Sequence, residues 1–119
     1  MKFSHVMVFI TDKEKARTFY GEVLGLVLLS EDDKRLVYDM GGHELVLFET
    51  LRPTSPGAYS EEARTVLVFH VDDVDKAFHE LSARGVKFLH SRPTPQKYAA
   101  FVDPFGNVHE ILQTFGGSD

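Results

Sequence analysis

The sequence predicts an α+β fold made of two tandem βαβββ modules, and three observations carry that expectation. One constant shift lays "VMVFITD" (Val6–Asp12) over "VLVFHVD" (Val66–Asp72), Gly25 over Gly85 and Leu29 over Leu89. A shift four residues longer lays Asp39, Gly42 and Thr50 over Asp103, Gly106 and Thr114. Matches in this order mark two diverged copies of one unit of roughly 55 residues. Within each copy the apolar pattern passes from a strand to a helix and then to three further strands. The boundaries expected are module one at 1–50, a linker at 51–63 and module two at 64–115, within a single domain spanning 1–119.

In the first copy, "KFSHVMVFI" is rich in β-branched and aromatic residues and stops at "TDKE". Thr11 and Glu14 have the spacing of a capping box, in which hydroxyl and carboxylate each satisfy an orphan N–H of the helix start. The helix that follows sets Ala16, Phe19, Tyr20, Val23 and Leu24 on one stripe, and Gly25 supplies the left-handed stop. "LVLLSE", "RLVYDM" and "HELVLFET" give three strands, parted by the solvated turn "EDDK" and by Gly41-Gly42. The second copy repeats the order with strand "TVLVFHV" and a helix from Asp72 or Asp73 to Arg84, with Ala77, Phe78 and Leu81 inward. After Gly85 come strands near "VKFLH", "YAAFVD" and "VHEILQT", with Asp39 and Asp103 as turn formers at strand ends. The intervening "TLRPTSPGAYSEEA" has two prolines and no period, and reads as a linker or flap.

The first strand is apolar at both parities, Val6, Val8 and Ile10 on one side and His5, Met7 and Phe9 on the other. A strand of that kind is covered on both faces. The helix accounts for one face; a second sheet, a ligand cavity or a partner chain must account for the other.

Composition removes several functions. With 13 basic and 18 acidic residues the net charge is −5, and no basic run exists to follow a phosphate backbone, so no nucleic-acid partner is expected. There is no cysteine, hence neither a disulfide framework nor thiolate chemistry. The early apolar run "VMVFI" is too short for a signal peptide or a membrane span. A cytoplasmic protein without membrane contact is expected, with the lack of a targeting segment as sole support.

The opening "FSHVMVFITD", the helix end "FYGEVLGL" and the closing "DPFGNVHEI" resemble the vicinal oxygen chelate superfamily, the group of glyoxalase I, extradiol dioxygenases, fosfomycin-resistance enzymes and bleomycin-binding proteins. The resemblance runs from about Lys2 to Phe115. It implies that each module curls into a curved mixed sheet and that two modules, from one chain or from two chains of a homodimer, close around a cavity. It also implies four metal-ligand slots, on the first and last strand of each module. Carried over one at a time, these fall on His5, on Val46, on Glu110, and on Val66 if Val71 is matched to Ile10, or on Thr65 if the shift of the first motif is kept.

Two slots therefore keep a donor and two do not. Zinc takes three or four protein donors, and hard cations lean on carboxylates and water. His5 and Glu110 would hold a divalent ion (Zn, Ni, Mn or Fe) only with substrate or water completing the shell. His70 shares a face with Val66 and Val68 but lies about 13 Å along the strand from the slot; Glu44 stands two residues before Val46 on the same face. Without the resemblance, His5 is more ordinarily a hydrogen-bonded, half-buried histidine. Glu110, flanked by Val108 and Leu112, is costly to bury without a partner. His43, His79, His90 and His109 share no face and read as surface or turn residues. Phe9, Phe48, Tyr98 and Phe101 read as mostly core, with one or two lining the cavity.

The expected function is binding of a small molecule without a complete four-ligand metal site. The expected lining is His5, Met7, Phe9, Val46, Phe48, Val66, His70 and Glu110. The alternative is a metal-dependent lyase, isomerase or dioxygenase acting on a small oxygenated substrate through His5 and Glu110. A third reading is a metal-free enzyme in which Glu110 or His5 moves a proton.

Overall fold

The computed structural model describes residues 3–51 and 66–113. The chain forms two compact units. In the first, β1 (His5–Ile10) leads into α1 (Lys13–Ala16) and a π-helical stretch (Arg17–Val23), followed by β2 (Val27–Glu31), β3 (Arg35–Asp39) and β4 (Glu44–Glu49). Its sheet has the order β1-β4-β3-β2, with β1 parallel to β4 and the other pairs antiparallel. In the second, β5 (Leu67–Val71) and α2 (Val74–Ala83) precede β6 (Lys87–Phe88), β7 (Tyr98–Val102) and β8 (Val108–Gln113). The order β5-β8-β7-β6 and the sense of each pair repeat those of the first sheet. The α+β class and the βαβββ pattern expected of the sequence are thus what the chain adopts; the 51–63 linker, Leu51 apart, lies outside the described residues.

Strand alternation decides what is buried. In the first unit Ile10, Leu36, Tyr38, Leu45 and Leu47 are fully buried on the helix face, with Ala16, Phe19 and Tyr20 opposing them. In the second unit Ala99, Phe101, His109 and Ile111 fill the corresponding face, with Val74 from α2. Removing one such large side chain from water contributes about 1.5–3 kcal/mol, which is why these parities hold the register.

The helix starts follow one design, though not the one expected. Asp12 rather than Thr11 is the N-cap, its carboxylate accepting from Lys15 N at 3.1 Å, and Asp73 does the same for Lys76 N at 3.1 Å. A carboxylate at the cap also meets the positive end of the helix, which a hydroxyl at Thr11 would not do. A second acceptor comes from the last strand of each unit: Glu49 Oε2 takes Lys13 N at 3.1 Å, and Gln113 Oε1 takes Val74 N at 2.9 Å.

The helix ends differ by one residue. After α2, Gly85 (φ 93°) lets Val86 N reach Leu81 O and its own N–H reach Ser82 O, the pairing of a Schellman stop. In the first unit Gly25 (φ 79°) plays the same part, but Leu24 N donates to Phe19 O and Leu26 N to Tyr20 O across a wider turn. The π-helical stretch absorbs the extra residue.

Two further expectations, the extent of one strand and the place of His109, are corrected. The strand near "VKFLH" is only Lys87–Phe88; Leu89 N still donates to Ala100 O, and the chain then bends toward Pro93, which has no N–H for a ladder. His109 is only 1% exposed, because alternation along β8 sends it to the helix face with Ile111, edge-on to Phe69 and near Phe101. His90 is half-buried against the Tyr98 ring. Of the four aromatics read as mostly core with one or two lining a cavity, Phe101 is buried, Phe48 and Tyr98 are half-buried, and Phe9 is 47% exposed on the face away from the helix.

Candidate functional site

The face of the first sheet that turns away from its helix is ordered in rows. His5, Glu44 and Asp39 stand side by side across β1, β4 and β3. The next row is Met7, Val46 and Val37, and the third is Phe9, Phe48 and Arg35. Successive rows are two residues apart, about 6.6 Å along a strand. Met7 and Phe9 remain 43% and 47% exposed, and Phe9 meets Phe48 edge to face at 6.2 Å. A pocket of about 310 Å³ opens here, lined by His5, Ser30, Arg35, Val37, Glu44 and Val46 together with Glu31 and Asp32.

Most charges around that pocket are already committed. Glu31 takes both Arg17 guanidinium nitrogens, at 2.6 and 3.1 Å, with Lys13 Nζ at 3.5 Å; the Arg17 bond holds its carboxyl below the usual range. Asp32 accepts from Lys34 N, Arg35 N and Arg35 Nε, and the Lys34 N–H leads in lowering its pKa. Asp39 accepts from Gly41 N at 3.0 Å, confirming its turn role. His5 is exposed, with Nδ1 2.8 Å from Ser4 Oγ.

The second sheet presents a corresponding open face. Val68, Glu110 and Ala100 form one row, and His70, Leu112 and Tyr98 the next. Val68 is 50% exposed and Glu110 half-buried. Because Met7 faces Val46 and Val68 faces Glu110, the counterpart of His5 is Val66, one residue before β5, and not Thr65. Within their own sheets His5, Met7, Phe9, Val46 and Phe48 are thus brought onto one face, as are His70 and Glu110 on another.

Asp103, by contrast, is a turn builder as expected. Only 4% exposed, it accepts from Phe105 N, Asn107 N and Asn107 Nδ2, and so holds the turn that starts β8. His109 behind it is pushed down to about 4 by burial, partly offset by the nearby Asp103 charge.

Among the described residues no three His, Asp or Glu side chains group as an ion would need. At Val46 the slot presents hydrocarbon. Four polar residues of the pocket, Ser30, Glu31, Asp32 and Arg35, were not among the sequence candidates. Arg35 was legible in principle, since it has the parity of Val37 and Asp39 in "RLVYD"; Ser30 was not, because the register between β2 and β3 shifts between Leu28 and Ser30.

With this geometry in view, residues 2–111 match the sequence pattern of the Glyoxalase/Bleomycin resistance protein/Dioxygenase superfamily. The chain belongs to that superfamily. Among its relatives is Uncharacterized protein YraH of Bacillus subtilis (strain 168), 29% identical over 129 residues, covering 95% of this chain and 98% of the relative. The solved structure of SMU.1112c is similar at a TM-score of 0.78 and 26% identity, covering 94% of this chain and 98% of that one. TnmS3, an antibiotic binding protein from Streptomyces sp. CB03234, is 31% identical at a TM-score of 0.66, covering 95% and 98%. Superfamily members often use a divalent metal and bind small molecules. Among the described residues of this member, no helix is long and apolar enough to cross a membrane.

Proposed function

We propose that the protein binds a small organic molecule on the open faces of its sheets, without a complete four-ligand metal site. The observation that carries this reading is the row Met7–Val46–Val37 beside the exposed Phe9 and half-buried Phe48. Hydrocarbon stands there at a corner where a metalloenzyme would need a donor. Small-molecule sites are mostly apolar with a few placed polar groups, and His5, Glu44 and Arg35 supply those groups. The likeness to an antibiotic binding protein at 31% identity supports the same reading. His5, Met7, Phe9, Val46 and Phe48 would bind it on the first sheet, and Val66, His70 and Glu110 on the second.

A thermal-shift screen of aromatic and cationic compounds in chelating buffer tests this. At least one class is expected to raise Tm, and Phe9→Ala should weaken the hit about ten-fold through lost aromatic contact. Silence across every class would overturn the reading.

The second reading, a metal-dependent lyase, isomerase or dioxygenase working through His5 and Glu110, keeps one support: both donors lie on the open face of their own sheets. It predicts metal retained through purification without chelator. The protein is further read as a homodimer, as superfamily members often are.

A further inference from the structure

The open face of the first sheet has its polarity graded along the strands, from acid through aliphatic to aromatic. The charges can be followed one by one. Arg35 is engaged by Asp32, and Glu31 by Arg17 and Lys13. Glu44, exposed and lining the pocket, makes no ion pair among the described residues. Directly across β3 from it stands another carboxylate, Asp39. Like charges set opposite one another on a sheet repel, so this row is improved by a cation laid against it. His5, on the other side of Glu44, offers a ring edge and no fixed negative charge.

Resting on the binding reading above, we infer that the ligand is an aromatic or alicyclic compound bearing a protonated amine, and that Glu44 selects the amine. The ring system would lie over Met7, Val37 and Val46 and reach toward Phe9 and Phe48. The row spacing of about 6.6 Å matches the length of a fused two-ring body. The ammonium then falls on the Glu44–Asp39 row, where a charge-assisted hydrogen bond to an unengaged carboxylate is the strongest contact the pocket offers. A ligand of the opposite sign meets two carboxylates there and a guanidinium that Asp32 already holds. Glu44 lies two residues from the position equivalent to Glu110, so this selectivity belongs to the first sheet alone.

Three probes that differ only at the tether end test the inference: 1-naphthylmethylamine, 1-naphthylmethanol and 1-naphthylacetate. They are titrated calorimetrically into the full chain at pH 7.5 with EDTA, and sites are read from amide shifts. The amine should bind about ten-fold tighter than the alcohol, with the carboxylate weakest. Shifts should centre on Val37 and Val46. Glu44→Gln should bring the amine-to-alcohol ratio to about one. Equal binding of amine and alcohol to the native chain, or a ratio that survives Glu44→Gln, would overturn the inference and leave small-molecule binding intact. Silence of all three probes would overturn the inference, whereas the binding reading falls only with silence across every class of the thermal-shift screen.

Discussion

Glu44 and Val46 in one copy stand where Val108 and Glu110 stand in the other. The parity is the same, so both carboxylates face away from the helix, but the exchange moves the acid by one row toward His5. Each copy thus keeps one acid on the open face of its last strand, at a different depth along the sheet. The opposite parity has the opposite chemistry, as His109 shows. Its pKa, about 4 against an ordinary 6.5, is depressed because burial among Phe69, Phe101 and Ile111 penalises the charged ring. The unfolded chain therefore binds the proton more readily between those values. Stability from this group is complete above about pH 6.5 and is lost as the pH falls toward 4, about 3 kcal/mol in all. Urea midpoints should fall across that window, and the His109 ring resonance should stay in its neutral position at pH 5.5. A ring that titrates near 6.5 in the folded protein would refute this.

At the scale of elements, the caps and the extra residue explain why one constant shift described only part of the repeat. Asp12 corresponds to Asp73 and Ile10 to Val71, yet Gly25 corresponds to Gly85, so the first helix spends one more residue between cap and stop. A sequence comparison without gaps lays Asp12 on Asp72 instead, which is why the slot opposite His5 wavered between Thr65 and Val66. The π-helical stretch cannot be read from apolar periodicity, since the same stripe of Ala16, Phe19 and Tyr20 fits a regular helix. The cap roles are testable. Asp73→Ala should cost about 1 kcal/mol and Asp12→Ala about the same, read by urea unfolding. If either change is silent, the acceptor from Glu49 or Gln113 suffices by itself.

The whole molecule is a duplication in which each copy builds its own core among the described residues. If the site works without a resident ion, Mn²⁺, Ni²⁺ and Zn²⁺ should bind no tighter than about 1 mM, and EDTA should leave Tm unchanged. Tight, saturable binding of one equivalent would favour the metal-dependent reading. Sedimentation across a dilution series should show a dimer at high concentration; a monomer at every concentration would refute the homodimer reading. The repeat and the succession of strands and helices along the chain were determined by the sequence itself, because strands report their faces every second residue and Asp, Gly and Pro punctuate the turns. The rows His5–Glu44–Asp39 and Phe9–Phe48–Arg35 were decided only by tertiary structure. Hydrogen-bond register between strands distant in sequence chooses which side chains become neighbours, and no local pattern encodes that choice.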